Sequence, residues 1–235
     1  MRLLALFVVP LLVPSLAVAE CPLPVAASPS LQGRSTADRL RALSRALDAD
    51  AAASRTWALA WGAIYGVGTL GQLAAIPLLG PEDQKDFVVG VASTAVGVGF
   101  TILSIPEVMD DAPAFATRAA AGGDECAVLA EAERLIVKDA ANEMSGVTWY
   151  MHAVNVAFNL GLGLVIGLGF GHWLSALINF VVGAAIGEGT IFTQPTALDG
   201  AWNRYLTGDL GPEAPTTVRL TLAPAVGGMG FAVHF

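Results

Sequence analysis

Charged residues are scarce in this chain of 235 residues. Asp, Glu, Lys and Arg together make up 14% of it and only two residues are lysine, whereas hydrophobic residues make up 54%. Globular domains contain about 25% charged and about 45–50% apolar residues, so this composition excludes an ordinary soluble domain. The apolar residues are concentrated in blocks, which indicates membrane spans. Few lysines with many Ala and Gly residues are typical of a bacterial protein.

Residues that build catalytic and metal sites are also sparse. The three histidines are scattered, and the sequence has no HExxH motif, CxxC motif or serine nucleophile elbow. The stretch GLGLVIGLGFG (161–171) is glycine-rich, but it does not open a soluble helix after a strand, and it lacks the downstream acid of a nucleotide-binding loop. We therefore expect no catalytic, cofactor-binding or metal site. The net charge of −8 argues against nucleic acid as a partner.

The first 19 residues predict a secretory signal peptide. Arg2 precedes an apolar core, and Ala17-Val18-Ala19 fits the small-residue rule for cleavage before Glu20. The alternative is an uncleaved membrane anchor, which Pro10 and Pro14 disfavour because proline interrupts helices. Cleavage makes the protein an exported one.

The two cysteines, Cys21 and Cys126, both fall in segments predicted to lie outside the cytoplasm, where disulfides persist. A bridge between them would join the mature N-terminus to the centre of the chain. The alternatives are two free thiols, an intermolecular pair through Cys21, or a lipid on Cys21. A lipidation site has a small residue directly before its cysteine, whereas the residue before Cys21 is the charged Glu20.

Hydropathy predicts an all-α integral membrane protein with four transmembrane helices in two tight hairpins. The four spans cover about 57–79, 87–105, 149–170 and 173–192, and about 20 residues cross a hydrocarbon core of about 30 Å. The predicted segments are a signal peptide (1–19), a Pro-rich linker (20–34), an amphipathic helix (35–55), a first transmembrane hairpin (57–105), a non-cytoplasmic helical insert (106–147), a second transmembrane hairpin (148–192) and a non-cytoplasmic tail with a small β-hairpin (193–235).

Two of the polar segments predict amphipathic helices. Leu40, Leu43 and Leu47 follow one another at helical spacing with arginines between them. This helix either lies on a lipid surface or packs its leucines on the protein itself, and we prefer the second interpretation. In the insert, Asp124 opens a second helix that ends at Gly146, and its apolar face should cap the membrane bundle.

The charges do not support the orientation that a cleaved signal implies. Both short turns should then face the cytoplasm, yet they carry Lys85 against three acids, whereas five arginines between residues 34 and 55 lie outside. The positive-inside rule predicts the reverse. One explanation is that the signal peptide dominates the orientation. The other is that the protein lies in the outer membrane, because the alternating apolar residues that end at Phe235 resemble the closing strand of an outer-membrane barrel. Long uniformly apolar runs are unlike barrel strands, so we favour the inner membrane and leave the outer membrane open.

A polar stripe interrupts the third span. His152, Asn155 and Asn159 fall at i, i+3 and i+7 and share one helix face, Asn179 lies within the fourth span, and Gln72 lies in the first. Buried amides need partners, so these residues should point into the bundle. We prefer to interpret them as interhelical contacts worth about 0.6 kcal/mol each. The alternative is a polar binding site or conduction path.

Glu188 is the single acid within the apolar runs. It lies near the outer end of the fourth span between Gly187 and Gly189, where we expect a solvated acid at the interface; a proton-linked or cation-binding acid is the alternative. Pairs of glycines four residues apart also occur in the spans, and they predict close helix packing within or between subunits. These pairs are Gly62/Gly66, Gly163/Gly167, Gly167/Gly171 and Gly183/Gly187.

We therefore expect a structural or interaction component of the bacterial cell envelope, anchored in the lipid bilayer with its polar segments on the periplasmic side. Its expected partners are lipid and either a second copy of the chain or other envelope proteins. The alternative function is a small transporter or channel with a polar path along the third and fourth helices. A membrane enzyme ranks third.

Overall fold

The computed structural model describes residues 21–211 and the backbone of two short strands at 219–225 and 228–234. The predicted signal peptide, Val218 and Phe235 lie outside the described residues. The helices are α1 (Thr36–Ala75), α2 (Pro81–Leu103), α3 (Val108–Ala120), α4 (Glu125–Gly146), α5 (Trp149–Leu164), α6 (Trp173–Phe192) and α7 (Ala197–Leu206). A 3₁₀ turn (Ile76–Leu78) follows α1, and a π-helical segment (Val165–Gly169) follows α5. The strands β1 (Arg219–Ala225) and β2 (Gly228–His234) pair antiparallel with Leu222 opposite Phe231.

Within the part of the chain that the structure describes, four helical stretches are long and apolar enough to cross a membrane. They contain the apolar parts of α1, α2, α5 and α6, and at most 22% of the apolar window in each is buried inside the protein. Apolar side chains on these helices therefore face outward along most of their length, which indicates an integral membrane protein in contact with lipid. The helical part of the predicted fold class, four apolar helices, is confirmed.

The predicted amphipathic helix and the first span form one continuous helix. α1 contains 40 residues and is about 60 Å long at 1.5 Å per residue, which is about twice the thickness of a hydrocarbon core. It begins at an N-cap in which Ser35 Oγ accepts from the Asp38 N–H at 3.1 Å. Neither proline nor glycine occurs between Thr36 and Trp61, so the boundary predicted after residue 55 is not a break in the helix.

The first half of α1 stands outside the apolar zone and packs with residues 21–35, α3, α4 and α7 in a helical assembly that we call the cap. The main hydrophobic core of the described residues lies here, and Leu43 and Leu47 are buried in it. The leucine stripe therefore packs on the protein itself. The Pro-rich segment forms turns, and its Ser28 N–H donates to Leu206 O at 2.8 Å. Its Leu31 is completely buried.

The predicted insert contains α3 and α4, which form an antiparallel pair in the cap. Gly122 and Gly123 have φ angles of 77° and 134°, which favour glycine and permit the tight connection. Asp124 caps α4 by accepting from the Cys126 N–H at 3.0 Å, and α4 ends at Gly146. Below the cap, α1 packs on α2 and α5 packs on α6, and these two hairpins carry the membrane-spanning segments.

Candidate functional site

The polar stripe of the third span lies at the interface between α5 and α6. These helices run antiparallel on either side of the turn at Gly171, whose φ is 79°. Residues at equal distances from the turn face each other, so Asn155 of α5 lies opposite the last turns of α6. The structure consequently places Glu188 beside both His152 and Asn155.

Glu188 is bound by both of these neighbours. His152 Nδ1 lies 2.5 Å from Glu188 Oε2, and Asn155 Nδ2 donates to Glu188 Oε1 at 2.9 Å and to Ala184 O at 3.0 Å. The His152 and Glu188 side chains are 27% and 25% exposed. Glu188 therefore belongs to the polar stripe, a contact that the sequence analysis did not predict. Polar groups in an apolar environment are stabilised by pairing across helices, and Glu188 is paired in this way.

Asn159 continues the stripe deeper into the hairpin. Its Nδ2 donates to both Asn155 O and Asn155 Oδ1 at 2.9 Å, and the residue is buried. Asn179 of α6 does not join this network, and its buried Oδ1 has no hydrogen-bond partner among the described residues. Four of the six candidate polar residues thus form one connected group, which we call the α5–α6 polar cluster: His152, Asn155, Asn159 and Glu188.

Two glycines of α6 provide the space for this cluster. A Cβ at Gly183 would overlap the Asn159 carboxamide, and a Cβ at Gly187 would overlap the Asn155 carboxamide. This predicted pair of glycines therefore packs against polar side chains within the same chain. The pair at 62 and 66 differs, because a Cβ there would meet no atom of the described residues within 4 Å.

A second histidine–carboxylate contact lies at the opposite end of the two hairpins. His172 Nδ1 lies 2.9 Å and 3.0 Å from the two carboxylate oxygens of Asp86, and His172 Nε2 lies 3.9 Å from Glu82 Oε2. The contact joins the α5–α6 turn to the start of α2. The predicted topology placed both short turns on the same side of the membrane, but it did not identify the contact between His172 and Asp86.

Aromatic residues of α1 connect the two hairpins near the cap. Trp57 Nε1 donates to Thr190 O at 3.0 Å, Trp61 Nε1 donates to Thr193 Oγ1 at 2.8 Å, and Tyr65 Oη lies 2.9 Å from Thr190 Oγ1. Trp57 and Tyr65 are buried. These side chains therefore hold α1 to α6, in addition to any role at the membrane interface.

Gln72, the polar residue of the first span, stays within the first hairpin. Its Nε2 donates to Gly68 O at 3.1 Å and to Thr94 Oγ1 at 3.4 Å. A Cβ at Gly90 of α2 would overlap its carboxamide. The same arrangement of a carboxamide seated against a glycine therefore occurs in both hairpins.

A buried arginine organises the cap. Arg39 is 2% exposed, and its guanidinium donates to Glu133 Oε1 at 2.7 Å, Tyr205 Oη at 2.8 Å, Pro22 O at 2.9 Å and Cys21 O at 3.1 Å. Burial and the Glu133 carboxylate raise the pKa of Tyr205, so its hydroxyl stays protonated and donates to Glu133. These bonds connect α1, α4, α7 and the segment that precedes α1. Our sequence analysis did not identify Arg39.

The predicted disulfide between Cys21 and Cys126 is confirmed. It joins the segment before α1 to the first turn of α4 across 105 residues of sequence. The alternatives of free thiols and of a lipid on Cys21 do not describe this structure, because both sulfurs are bonded to each other.

Three acids meet where α3 and α4 pack together. Oxygen atoms of Glu107, Asp111 and Asp139 lie within 4.8 Å of one another, a spacing that a metal ion could use. Lys138 Nζ, however, lies 2.6 Å from Glu107 Oε2 and also bonds Asp111. These two bonds raise the pKa of Lys138. Because the ammonium group already supplies the positive charge at this position, we assign no metal to it.

No protein-family model, curated protein or solved structure matches this chain. Its function is therefore inferred from the geometry of the cap and of the α5–α6 polar cluster.

Proposed function

We propose that this protein is a membrane-anchored structural or interaction component of the bacterial cell envelope. In this proposal, four helices hold the chain in the bilayer, and the cap binds envelope partners or a second copy of the chain. The observation that carries the proposal is the pairing within the α5–α6 polar cluster, in which each member bonds another member. Polar groups that are satisfied by one another across two helices fix the helix register.

The construction of the cap supports the same role. A disulfide, a buried Arg39–Glu133 ion pair and a continuous apolar core hold its helices together. Such an assembly presents a fixed surface to a partner, so little conformational freedom is lost on binding. The disulfide also supports a cap on the non-cytoplasmic side, because disulfides persist in oxidising compartments such as the bacterial periplasm.

Replacing Asn155 and Asn159 together by alanine tests the structural role. We expect a large loss of folded protein in membranes, because Glu188 then loses one donor and the two helices lose their cross-contacts. The matched control is Asn203→Ala, which removes an exposed carboxamide from α7 outside the apolar segments. A double variant as stable and as well assembled as the control would refute the structural role.

A small transporter or channel is the second candidate. Two observations favour it: the ionisable pair His152–Glu188 lies within the polar cluster, and Asn179 Oδ1 is buried without a hydrogen-bond partner among the described residues. Ionisable residues in membrane helices often mark ion or substrate pathways. Flux of protons and monovalent cations into proteoliposomes distinguishes the candidates. A fully folded Asn155→Ala, Asn159→Ala protein with altered flux would support a pathway.

Fractionation of native membranes tests the location. We propose the inner membrane and a mature chain that begins at Glu20, which N-terminal sequencing of the recovered band would establish. Recovery in the outer membrane would overturn the inner-membrane assignment. It would also exclude proton-coupled transport, since that membrane maintains no proton gradient.

A further inference from the structure

Two buried acids on successive turns of α4 in the cap each lie close to a second carboxyl group. Asp139 faces Asp111 of α3, and Glu143 faces Asp50 of α1. Asp139 and Glu143 are each 1% exposed. Both precede the apolar part of α5, so they lie in the cap and outside the membrane-spanning segments. Buried acids are rare unless they are paired or protonated.

The surroundings of Glu143 show that its pair needs a proton. Glu143 Oε2 accepts from the Leu198 N–H in the first turn of α7 at 3.3 Å, whereas Oε1 is buried and has no N–H or O–H donor among the described residues. On its other side, the Glu143 carboxyl bonds the carboxyl of Asp50. Asp50 also accepts a hydrogen bond from Ser54 Oγ at 3.3 Å. Two carboxyl groups in contact bond each other only when they share a proton.

Among the described residues, the charged groups that act most strongly on Glu143 are acids, which do not replace that proton. Its neighbours are Asp50 from α1 and Asp139 from α4, both acids, and Asp111 of α3 lies beyond Asp139. The amide of Leu198 contributes the partial positive charge of the α7 N-terminus. Lys138, next to Asp139 in the sequence, bonds Asp111 and Glu107, and its Nζ lies 3.8 Å from Asp139 Oδ1.

We propose that the Asp50–Glu143 pair is a proton-dependent latch: one shared proton holds α1 and α7 against α4, and its release loosens α7 from the cap. Glu143 is suited to this role because it is the residue that contacts both helices. The latch would make the surface formed by α1 and α7 respond to the pH of the compartment that the cap faces. This inference does not depend on which membrane role the protein has.

The direction of the pH effect follows from linkage. Burial, followed by the bond to Asp50, raises the pKa of Glu143 to about 10, compared with about 4.3 for a solvated glutamate. Between these two values the closed cap binds a proton that the open cap releases, so rising pH favours opening by about tenfold per pH unit. Above about pH 10 both states are ionised, and the dependence ends.

The second acid pair provides a control. Burial, followed by Asp111, raises the pKa of Asp139 to about 7, so this pair contributes between about pH 4 and pH 7 and adds nothing above that. Between pH 7.5 and 9.5 the slope should therefore come from Glu143 and not from Asp139. Two single substitutions on the same helix thus have different predicted effects.

Hydrogen–deuterium exchange of the full-length protein in lipid nanodiscs tests the latch. Opening constants for α7 peptides, corrected for intrinsic exchange, should rise about 100-fold from pH 7.5 to 9.5 in the wild type and in Asp139→Asn. They should stay constant in Glu143→Gln, whose carboxamide mimics the protonated acid. If Glu143→Gln fails to fold, Asp50→Asn tests the same pair. A flat wild-type profile, or an unchanged slope in the folded variant of this pair, would overturn the proposal.

Discussion

Replacing Gly187 by alanine perturbs the α5–α6 polar cluster at its most crowded point. A Cβ at this position would overlap the Asn155 carboxamide, so this side chain must leave its site. It would then lose its bonds to Glu188 and Ala184 and the bond that it accepts from Asn159. At about 0.6 kcal/mol for each hydrogen bond in a membrane, the loss is about 2 kcal/mol.

Gly161→Ala is the matched control for this substitution. Gly161 also lies inside a membrane helix of the same hairpin, but a Cβ there would meet no atom of the described residues within 4 Å. Alanine has a higher helix propensity than glycine by about 1 kcal/mol, and this gain applies to both variants. The difference between the two variants, about 2 kcal/mol, therefore isolates the lost contacts.

Unfolding in mixed micelles of mild detergent and dodecyl sulfate, followed by circular dichroism, measures this difference. We expect Gly187→Ala to unfold at a lower mole fraction of dodecyl sulfate than Gly161→Ala. Equal free energies of unfolding for the two variants would show that Asn155 does not occupy the space beside Gly187, and the packing argument for the cluster would fail.

Two further predictions concern the cap. Arg39→Met keeps the apolar stem but removes the buried guanidinium, so it should reduce the free energy of unfolding of the cap by about 3–5 kcal/mol. The control is Arg41→Met, at a site where the side chain is 70% exposed, and it should change this free energy by less than about 1 kcal/mol. Urea denaturation of both variants measures this, and equal values would refute the role of Arg39. Cys126→Ser removes a bridge that spans 105 residues and should lower the stability by up to about 4.7 kcal/mol on the chain-entropy model. Reduced wild-type protein should then match the serine variant, and a serine variant as stable as the oxidised protein would contradict the estimate.

The membrane helices and the stripe could be predicted because they follow from periodicity within single elements. The position of Glu188 required a further step, namely pairing residues across the turn. The turn between α5 and α6 is centred between Gly171 and His172, so Asn155 and Glu188 lie at equal distances from it. Counting from the turn would have placed the acid beside the stripe, but we considered the two helices separately.

The buried charges of the cap were missed for a different reason. Arg39 and Asp50 lie on the same face of α1 as Leu43 and Leu47, since their spacings are close to whole helical turns. The sequence analysis assigned no buried role to these two residues, since charged residues are usually exposed. Whether such a residue is buried depends on the partner that another helix provides, here Glu133 for Arg39, and helical periodicity alone does not identify that partner.

A double-mutant cycle between Asn155→Ala and Glu188→Ala is the most direct test of the central claim, that the polar cluster holds α5 against α6. Their side chains are bonded at 2.9 Å across the two helices. We predict a coupling free energy of about 0.6–1.7 kcal/mol, the range found for hydrogen bonds between membrane helices. Strictly additive effects of the two substitutions in a folded protein would contradict the claim.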